Sequence, residues 1–386
     1  MRDEAGHKAD SEAVEVDARR DSDADAKGVK LLLRFARSPW ARAALALVFL
    51  CGVGALLWWH GPHWGSFADA FAEVRWEWVA AAVGFNLLSV VARAAAWETV
   101  IRAAMPPPHP GFRLVFSAFS VGLLANAVLP GRVGELARVA VLTRKLDGRR
   151  RGLWPTLVGT VFAHRVFDLV PVLIIAVWVL LTAKIPDWAF TSLSILMAVG
   201  FALLLFAFAT ARQHGHTRLE GLGTLKRVIT MARFGLGVMR RPVPAGLAIL
   251  GQCTGWTCQI FAVWTAMKAF HIYEGLPAAG LVLLLMNVAT MIPLWPGNVG
   301  LLQVAVATPL SVSYGVAYAR GIAYGFGLQA IEASVGVGIG LVFLAREGLS
   351  FALLREMPGA ATAEIPGRAS EEELAGHEPA RARVPG

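Results

Sequence analysis

The chain is short of charge. Asp, Glu, Lys and Arg make up 16% of its 386 residues, against roughly 25% in ordinary soluble domains. That deficit excludes a conventional soluble protein and any separate soluble domain large enough to carry catalysis. Cysteine is scarce too. Cys51, Cys253 and Cys258 are odd in number, fit no metal-ligand spacing and lie inside apolar blocks, which excludes a disulfide framework and marks them as small core residues. The N-terminus lacks the basic start and short apolar core of a cleaved signal peptide. Also missing are a phosphate-binding Gly-rich loop ending in Lys-Ser/Thr, a zinc-protease histidine pair, and a Ser or Cys nucleophile beside a base. No cofactor is implied, and the chain is not expected to be an enzyme.

What is present is apolar: 56% of the residues, gathered into runs long enough for the roughly 20 residues that a helical crossing needs. The formal net charge is +9, but its placement argues against nucleic acid. Residues 1–27 are acidic, whereas the surplus Lys and Arg sit in short loops between apolar runs, at 144–151 and 212–241. Basic loops of that kind mark the cytoplasmic side of a membrane protein.

Along its length the chain has three parts. Residues 1–40 form an acidic, disordered tail with a basic lead-in, 41–350 a transmembrane domain, and 351–386 a second disordered tail. Full spans are expected near 43–59, 76–101, 153–182, 187–210, 245–270 and 322–344. Two further stretches, 112–143 and 277–312, are each broken by Pro and Gly. Each arm is too short for a bilayer core of about 30 Å, so both are read as re-entrant helical hairpins. The fold class is therefore an all-α polytopic membrane protein with about six full transmembrane helices and two re-entrant hairpins. Both termini would be cytoplasmic, in a bacterial plasma membrane. Span–hairpin–span occurs twice, with opposite entry, which suggests an inverted-topology repeat of the kind secondary transporters use. The two halves read as sharing little identity.

The first hairpin tip holds Asn126, then Pro130, Gly131, Arg132, Glu135 and Arg138. Pro and Gly break the helix there, and the freed N–H groups beside Arg132 suit an anion such as phosphate. Spacing puts Arg132, Glu135 and Arg138 on one face. Glu135 either takes part in binding or simply neutralises the arginines while Arg138 snorkels to the surface. Mid-way along the next span stand His164, Arg165 and Asp168, readable equally as a structural ion pair or a substrate contact. The second tip offers Asn287, Pro293, Pro296, Gly297, Asn298 and Gln303, hydrogen-bonding but uncharged. Gln329 and Glu332 lie in the last span. Arg93 and Glu98 lie near a helix end and read as structural.

These residues carry a family resemblance. Arg93…Trp97, Asn126…Leu-Pro-Gly-Arg-Val-Gly-Glu-Leu-Ala-Arg138, Arg165-Val-Phe-Asp168, Pro293-Leu-Trp-Pro-Gly-Asn-Val-Gly300 and Arg320-Gly-Ile resemble the transmembrane, flippase-like domain of lysylphosphatidylglycerol synthases, over roughly residues 40–350. The resemblance implies a role in moving an anionic, zwitterionic or polyprenyl-linked lipid between leaflets, without the aminoacyl-transferase domain. His164 and Gln303 stand where relatives usually have Glu, and Asn298 where they have Gly. The loss of two carboxylates argues against a cationic lysyl-lipid as cargo. Membrane lipids are thus the expected partners, with a lipid-modifying or glycan-assembly enzyme at the cytoplasmic face. Two alternatives stand beside this one. One is a scaffold that recruits an enzyme through the basic loops; the other is an intramembrane lipid-modifying transferase with Glu135 or Asp168 as base.

Overall fold

The computed structural model describes residues 64–128, 133–146, 153–212, 237–291 and 298–346. Contacts divide the chain into two units, 1–64 and 65–386, and the fold described below is that of the second. The expected first span, both tails, the tip residues Pro130, Gly131, Arg132, Pro293, Pro296 and Gly297, and most of the basic loops lie outside the described residues.

The described residues are helical, without a strand. In chain order the helices are α1 (Trp64–Ala72), α2 (Trp76–Ala104), α3 (Phe112–Val128), α4 (Gly134–Lys145), α5 (Leu153–Thr182), α6 (Asp187–Arg212), α7 (Pro242–Ala269), α8 (Leu276–Met291), α9 (Leu301–Tyr314) and α10 (Tyr318–Arg346). Prolines set several boundaries. The run Pro106-Pro107-Pro108 follows the end of α2 at Ala104, Pro186 precedes α6, and Pro242 opens α7 behind the extended residue Arg241, where its missing N–H costs nothing.

Five helices, α2, α5, α6, α7 and α10, are long and apolar enough to cross a membrane, each in the place expected from sequence. The chain is a polytopic membrane protein. α3, α4, α8 and α9 have 17, 12, 16 and 14 residues, or about 26, 18, 24 and 21 Å at the α-helical rise. None spans a core of about 30 Å by itself.

Each hairpin is closed by an amide side chain. Asn126 Oδ1 accepts the N–H of Gly134 at 2.8 Å, tying the end of α3 to the start of α4. A Cβ on Gly134 would stand 2.6 Å from Cγ of Asn126, so the residue must be Gly for the arms to meet. In the second hairpin Asn298 Nδ2 donates to Ala289 O at 3.0 Å. Asn298 and Gly300 hold left-handed backbone, φ 45° and 94°, which lets the chain reverse before α9.

The packing is two-fold. α2 contacts α3 as α7 contacts α8, and α3 contacts α4 as α8 contacts α9. α4 lies on α5 as α9 lies on α10, while α2 meets α5 and α10 as α7 meets α10 and α5. Crosswise, α3 lies on α10 as α8 lies on α5. The remaining pair, α2 against α7, relates to itself, so it lies on the axis. Its register is antiparallel. Trp78 meets Trp264 and Phe85 stacks on Phe261, with centroids 6.4 and 5.5 Å apart. Nearer the centre Gly255 abuts Arg93, leaving no room for a Cβ, which would lie 2.5 Å from Arg93 Cγ. An antiparallel pair on a two-fold axis makes the repeat inverted, as expected. α6 stands outside it, with much of its apolar surface exposed.

The halves share little identity, as expected, except at the hairpin tip. Pro130 to Leu136 reads Pro-Gly-Arg-Val-Gly-Glu-Leu, and 166 residues later Pro296 to Leu302 reads Pro-Gly-Asn-Val-Gly-Leu-Leu. Outside this tip the apolar helices differ in sequence.

Candidate functional site

The polar side chains converge at mid-depth. Asp168 and Glu332 lie at the centres of the long helices α5 and α10, and Arg93 within a turn of the centre of α2. From either end of its helix Glu332 is about 21 Å away at 1.5 Å per residue. Charge at that depth is costly and is kept where it acts.

Asp168 is the hub of the first half. Its Oδ2 is 3.0 Å from Nη2 of Arg93 and 3.1 Å from Nη1 of Arg165, and its Oδ1 accepts the indole N–H of Trp256 at 2.9 Å. Three helices, α2, α5 and α7, are thereby joined at one carboxylate. Arg165 continues the network to Glu135, which in turn pairs with Arg138. Pro171 lies inside α5 and cannot donate to the carbonyl of Phe167, so an acceptor is freed beside Asp168.

Arg138 does not snorkel. It is 3% exposed, with its guanidinium 4.6 Å from the ring centroid of Trp97 and 5.4 Å from that of Phe119. The planar, weakly hydrated cation can stack on these rings. Trp97 is held in turn by Thr160 Oγ1, which accepts its indole N–H at 3.2 Å. Buried His164 packs edge-on against Phe119, and its carbonyl accepts from Gln252 at 3.2 Å.

Arg93 is likewise no helix-end brace. It touches Asp168, stands over Trp256 at 5.7 Å and belongs to the network. Glu98, one turn on, pairs instead with Arg102 at 2.7 Å and stays out of it. Sequence reasoning missed the part played by Arg93, Trp97, Trp256 and Gln259. An isolated Arg inside an apolar run signalled the first and the family resemblance singled out Trp97; nothing local distinguishes Trp256 and Gln259 from core or lipid-facing residues.

The second half repeats the geometry with fewer charges. Arg165 and Asp168 on α5 correspond to Gln329 and Glu332 on α10, three residues apart in both, and Arg93 on α2 corresponds to Gln259 on α7. The contacts correspond as well. Where Arg93 binds Asp168, Gln259 Nε2 donates to Glu332 Oε1 at 3.0 Å. Where Arg165 reaches Glu135, Gln303 Nε2 donates to Gln329 Oε1 at 2.6 Å. Gln303 Oε1 also accepts the Gly300 N–H at 2.6 Å. Asn287 is not drawn in; it is exposed and donates to Leu283 O on its own helix. Asn126 and Asn298 serve as the hairpin closures.

One family model matches the chain, that of the lysylphosphatidylglycerol synthase TM region, over residues 41–340. The chain belongs to this family. The match takes in both repeats of the lysylphosphatidylglycerol synthase transmembrane fold, and with them every polar residue described above. No curated protein and no solved structure matches.

Among the described residues no cluster of His, Cys, Asp and Glu could hold a metal ion. What the arrangement offers instead is a fixed field. Among the described residues the network joins three guanidinium groups (Arg93, Arg138, Arg165) to two carboxylates (Glu135, Asp168), with Arg138 and Asp168 buried and Arg165 half-exposed. Nε of Arg93 and Nε of Arg138 are buried without an acceptor among the described residues.

Proposed function

We propose that this protein moves an anionic or zwitterionic lipid headgroup, or a lipid-linked glycan, between the leaflets of a bacterial plasma membrane, with both termini cytoplasmic. The observation carrying this reading is the Arg-rich network at mid-depth, where Arg93, Arg138 and Arg165 outnumber the two carboxylates among the described residues. An uncompensated charge there is expensive, and a lipid phosphate passing through would offset it with charge-assisted hydrogen bonds. Membership of the lysylphosphatidylglycerol synthase transmembrane family and the inverted repeat support the same view, since such repeats place sites where broken helices meet. In this reading the acyl chains stay in lipid while the headgroup passes the hairpins, Arg132 and Arg138 stabilise its phosphate, and Glu135 gates Arg132 or contacts a cationic group.

The test is transbilayer movement of headgroup-labelled phosphatidylglycerol in liposomes containing the purified chain. Wild type should move it, and Arg132→Ala and Glu135→Ala should not. Variants that expressed normally and moved lipid as fast as wild type would overturn the proposal. A wild type that moved no lipid would favour instead a scaffold whose basic loops recruit an enzyme.

A further inference from the structure

The two-fold axis relates the end of α7 to the end of α2, and the two ends treat their basic residue differently. With Arg93 equivalent to Gln259, Arg102 in the last turn of α2 is equivalent to Lys268 in the last turn of α7, and Glu98 to Trp264. Both cations feel the partial negative charge of a helix C-terminus. At the α2 end Glu98 adds a full negative charge, 2.7 Å from Arg102. At the α7 end an indole takes that place. Lys268 Nζ stands 4.4 Å from the ring centroid of Trp264, 5.4 Å from that of Trp78 and 5.8 Å from that of Tyr273.

The three rings hold the ammonium through their π faces, but none is an anion. The carboxylates of this face are engaged elsewhere. Glu77 accepts from Arg75 at 2.7 Å, Glu73 lies 3.8 Å from Arg320, and Glu274 acts on Tyr314. Among the described residues no carboxylate pairs with Lys268. The undescribed stretches whose connections lie on this face, 41–63 and 292–297, contain no Asp or Glu. A second donor stands beside the ammonium. Trp78 packs edge-on to Trp264, and its Nε1 is buried without an acceptor among the described residues. Lys268 is half-buried and Tyr273 is 63% exposed, so the cluster opens to the surface.

This cluster sits where α2 begins and α7 ends, at the face opposite the basic loops. Trp and Tyr at such helix ends lie at the headgroup level of a bilayer, where the anions on hand are lipid phosphates. We propose that Lys268 and the Trp78 N–H form a binding site for the phosphate of an anionic lipid in the leaflet at that face, walled by Trp264 and Tyr273. The ammonium supplies charge-assisted hydrogen bonds to the phosphate oxygens. Arg102, neutralised by Glu98, offers no such site at the equivalent position of the other face. A choline headgroup is the poorer ligand, because it carries its own cation to a site built around one. The site is separate from the arginine network and does not depend on lipid being transported.

The experiment has two arms. In the first, the full chain is placed in nanodiscs of phosphatidylcholine, with and without phosphatidylglycerol. A short pulse of a water-soluble acetylating reagent labels accessible amines. Peptide mass spectrometry then compares Lys268 with Lys184, which stands over one ring, Tyr314, on the same face. An anionic surface slows both amines alike, by about threefold; phosphate bound at Lys268 should slow that residue about fivefold further. An equal change at the two lysines would overturn the proposal. So would a Lys268 that stays unreactive in phosphatidylcholine alone, since the rings would then already seal the amine. Equal protection by inorganic phosphate in phosphatidylcholine nanodiscs would overturn the assignment to a lipid. In the second arm, native mass spectrometry counts the dioctanoyl-phosphatidylglycerol held by the chain in detergent. Lys268→Met keeps an unbranched stem between the rings and should hold one lipid fewer than wild type, whereas Lys268→Arg should hold as many. Wild-type binding by Lys268→Met, or an equal loss in both variants, would refute a site made by the charge.

Discussion

Replacing Asp168 by Asn keeps the side chain's shape and an amide oxygen for the Trp256 N–H, but removes the charge that holds Arg93 and Arg165. Two limits bracket the cost. Removing one partner of a buried ion pair costs about 3–5 kcal/mol, whereas an exposed pair contributes about 0.2–1 kcal/mol. Exposure decides between them. The Asp168 and Arg93 side chains are 9% and 26% exposed, and Arg165 is 49% exposed. The Arg93 contact thus counts as buried, and the Arg165 contact is largely screened. Asp168→Asn is expected to destabilise the fold by about 3 kcal/mol, near the lower buried limit. Arg93→Gln leaves Asp168 its other two partners and should cost about 1.5 kcal/mol. The double variant has no stranded charge and resembles the amide arrangement at Gln259. It should cost about 2.5 kcal/mol, a coupling of about 2 kcal/mol. SDS unfolding of each variant in mixed micelles, followed by tryptophan fluorescence, measures all three. A coupling under about 0.5 kcal/mol would mean that water solvates the pair, and would refute the reading of Arg93 and Asp168 as a buried ion pair.

Two more outcomes come from the same geometry. Arg138→Lys keeps the charge but loses the planar group stacked on Trp97 and Phe119, and should destabilise by about 1–2 kcal/mol; a thermal midpoint equal to wild type would refute the stacking argument. Asn126→Ala strips the Gly134 N–H of its acceptor at about 1–3 kcal/mol. Hydrogen exchange at Gly134 should quicken while the centre of α5 stays protected, and unchanged exchange would count against the closure.

Much of the architecture was legible in the sequence because a bilayer dictates it. With no water to satisfy backbone groups, long apolar runs must be helices, and the five expected spans that fall among the described residues, with the arm lengths, recur in the structure. Pro-Gly tips flanked by arms too short to cross could only be read as hairpins. The site was legible in part. Glu135, Arg138, Arg165, Asp168, Gln303 and Glu332 stood out as polar groups in apolar surroundings. Arg93 was misjudged because position along one helix says nothing of which helix lies opposite, and Arg138 because snorkelling and stacking look alike in one dimension.

The sequence by itself determined that this protein lives in a membrane, where its chain turns, and which residues are too polar for their depth. Only the tertiary structure decided how those residues pair. The antiparallel crossing of α2 and α7, made close by Gly255, sets Arg93 against Trp256 and within reach of Asp168. The two-fold arrangement also sets Arg93, Arg165 and Asp168 of one half in places equivalent to Gln259, Gln329 and Glu332 of the other. Helix periodicity fixes which face a side chain shares with its neighbours three and four residues away. What meets that face is set by packing between segments more than a hundred residues apart, and no local pattern encodes it.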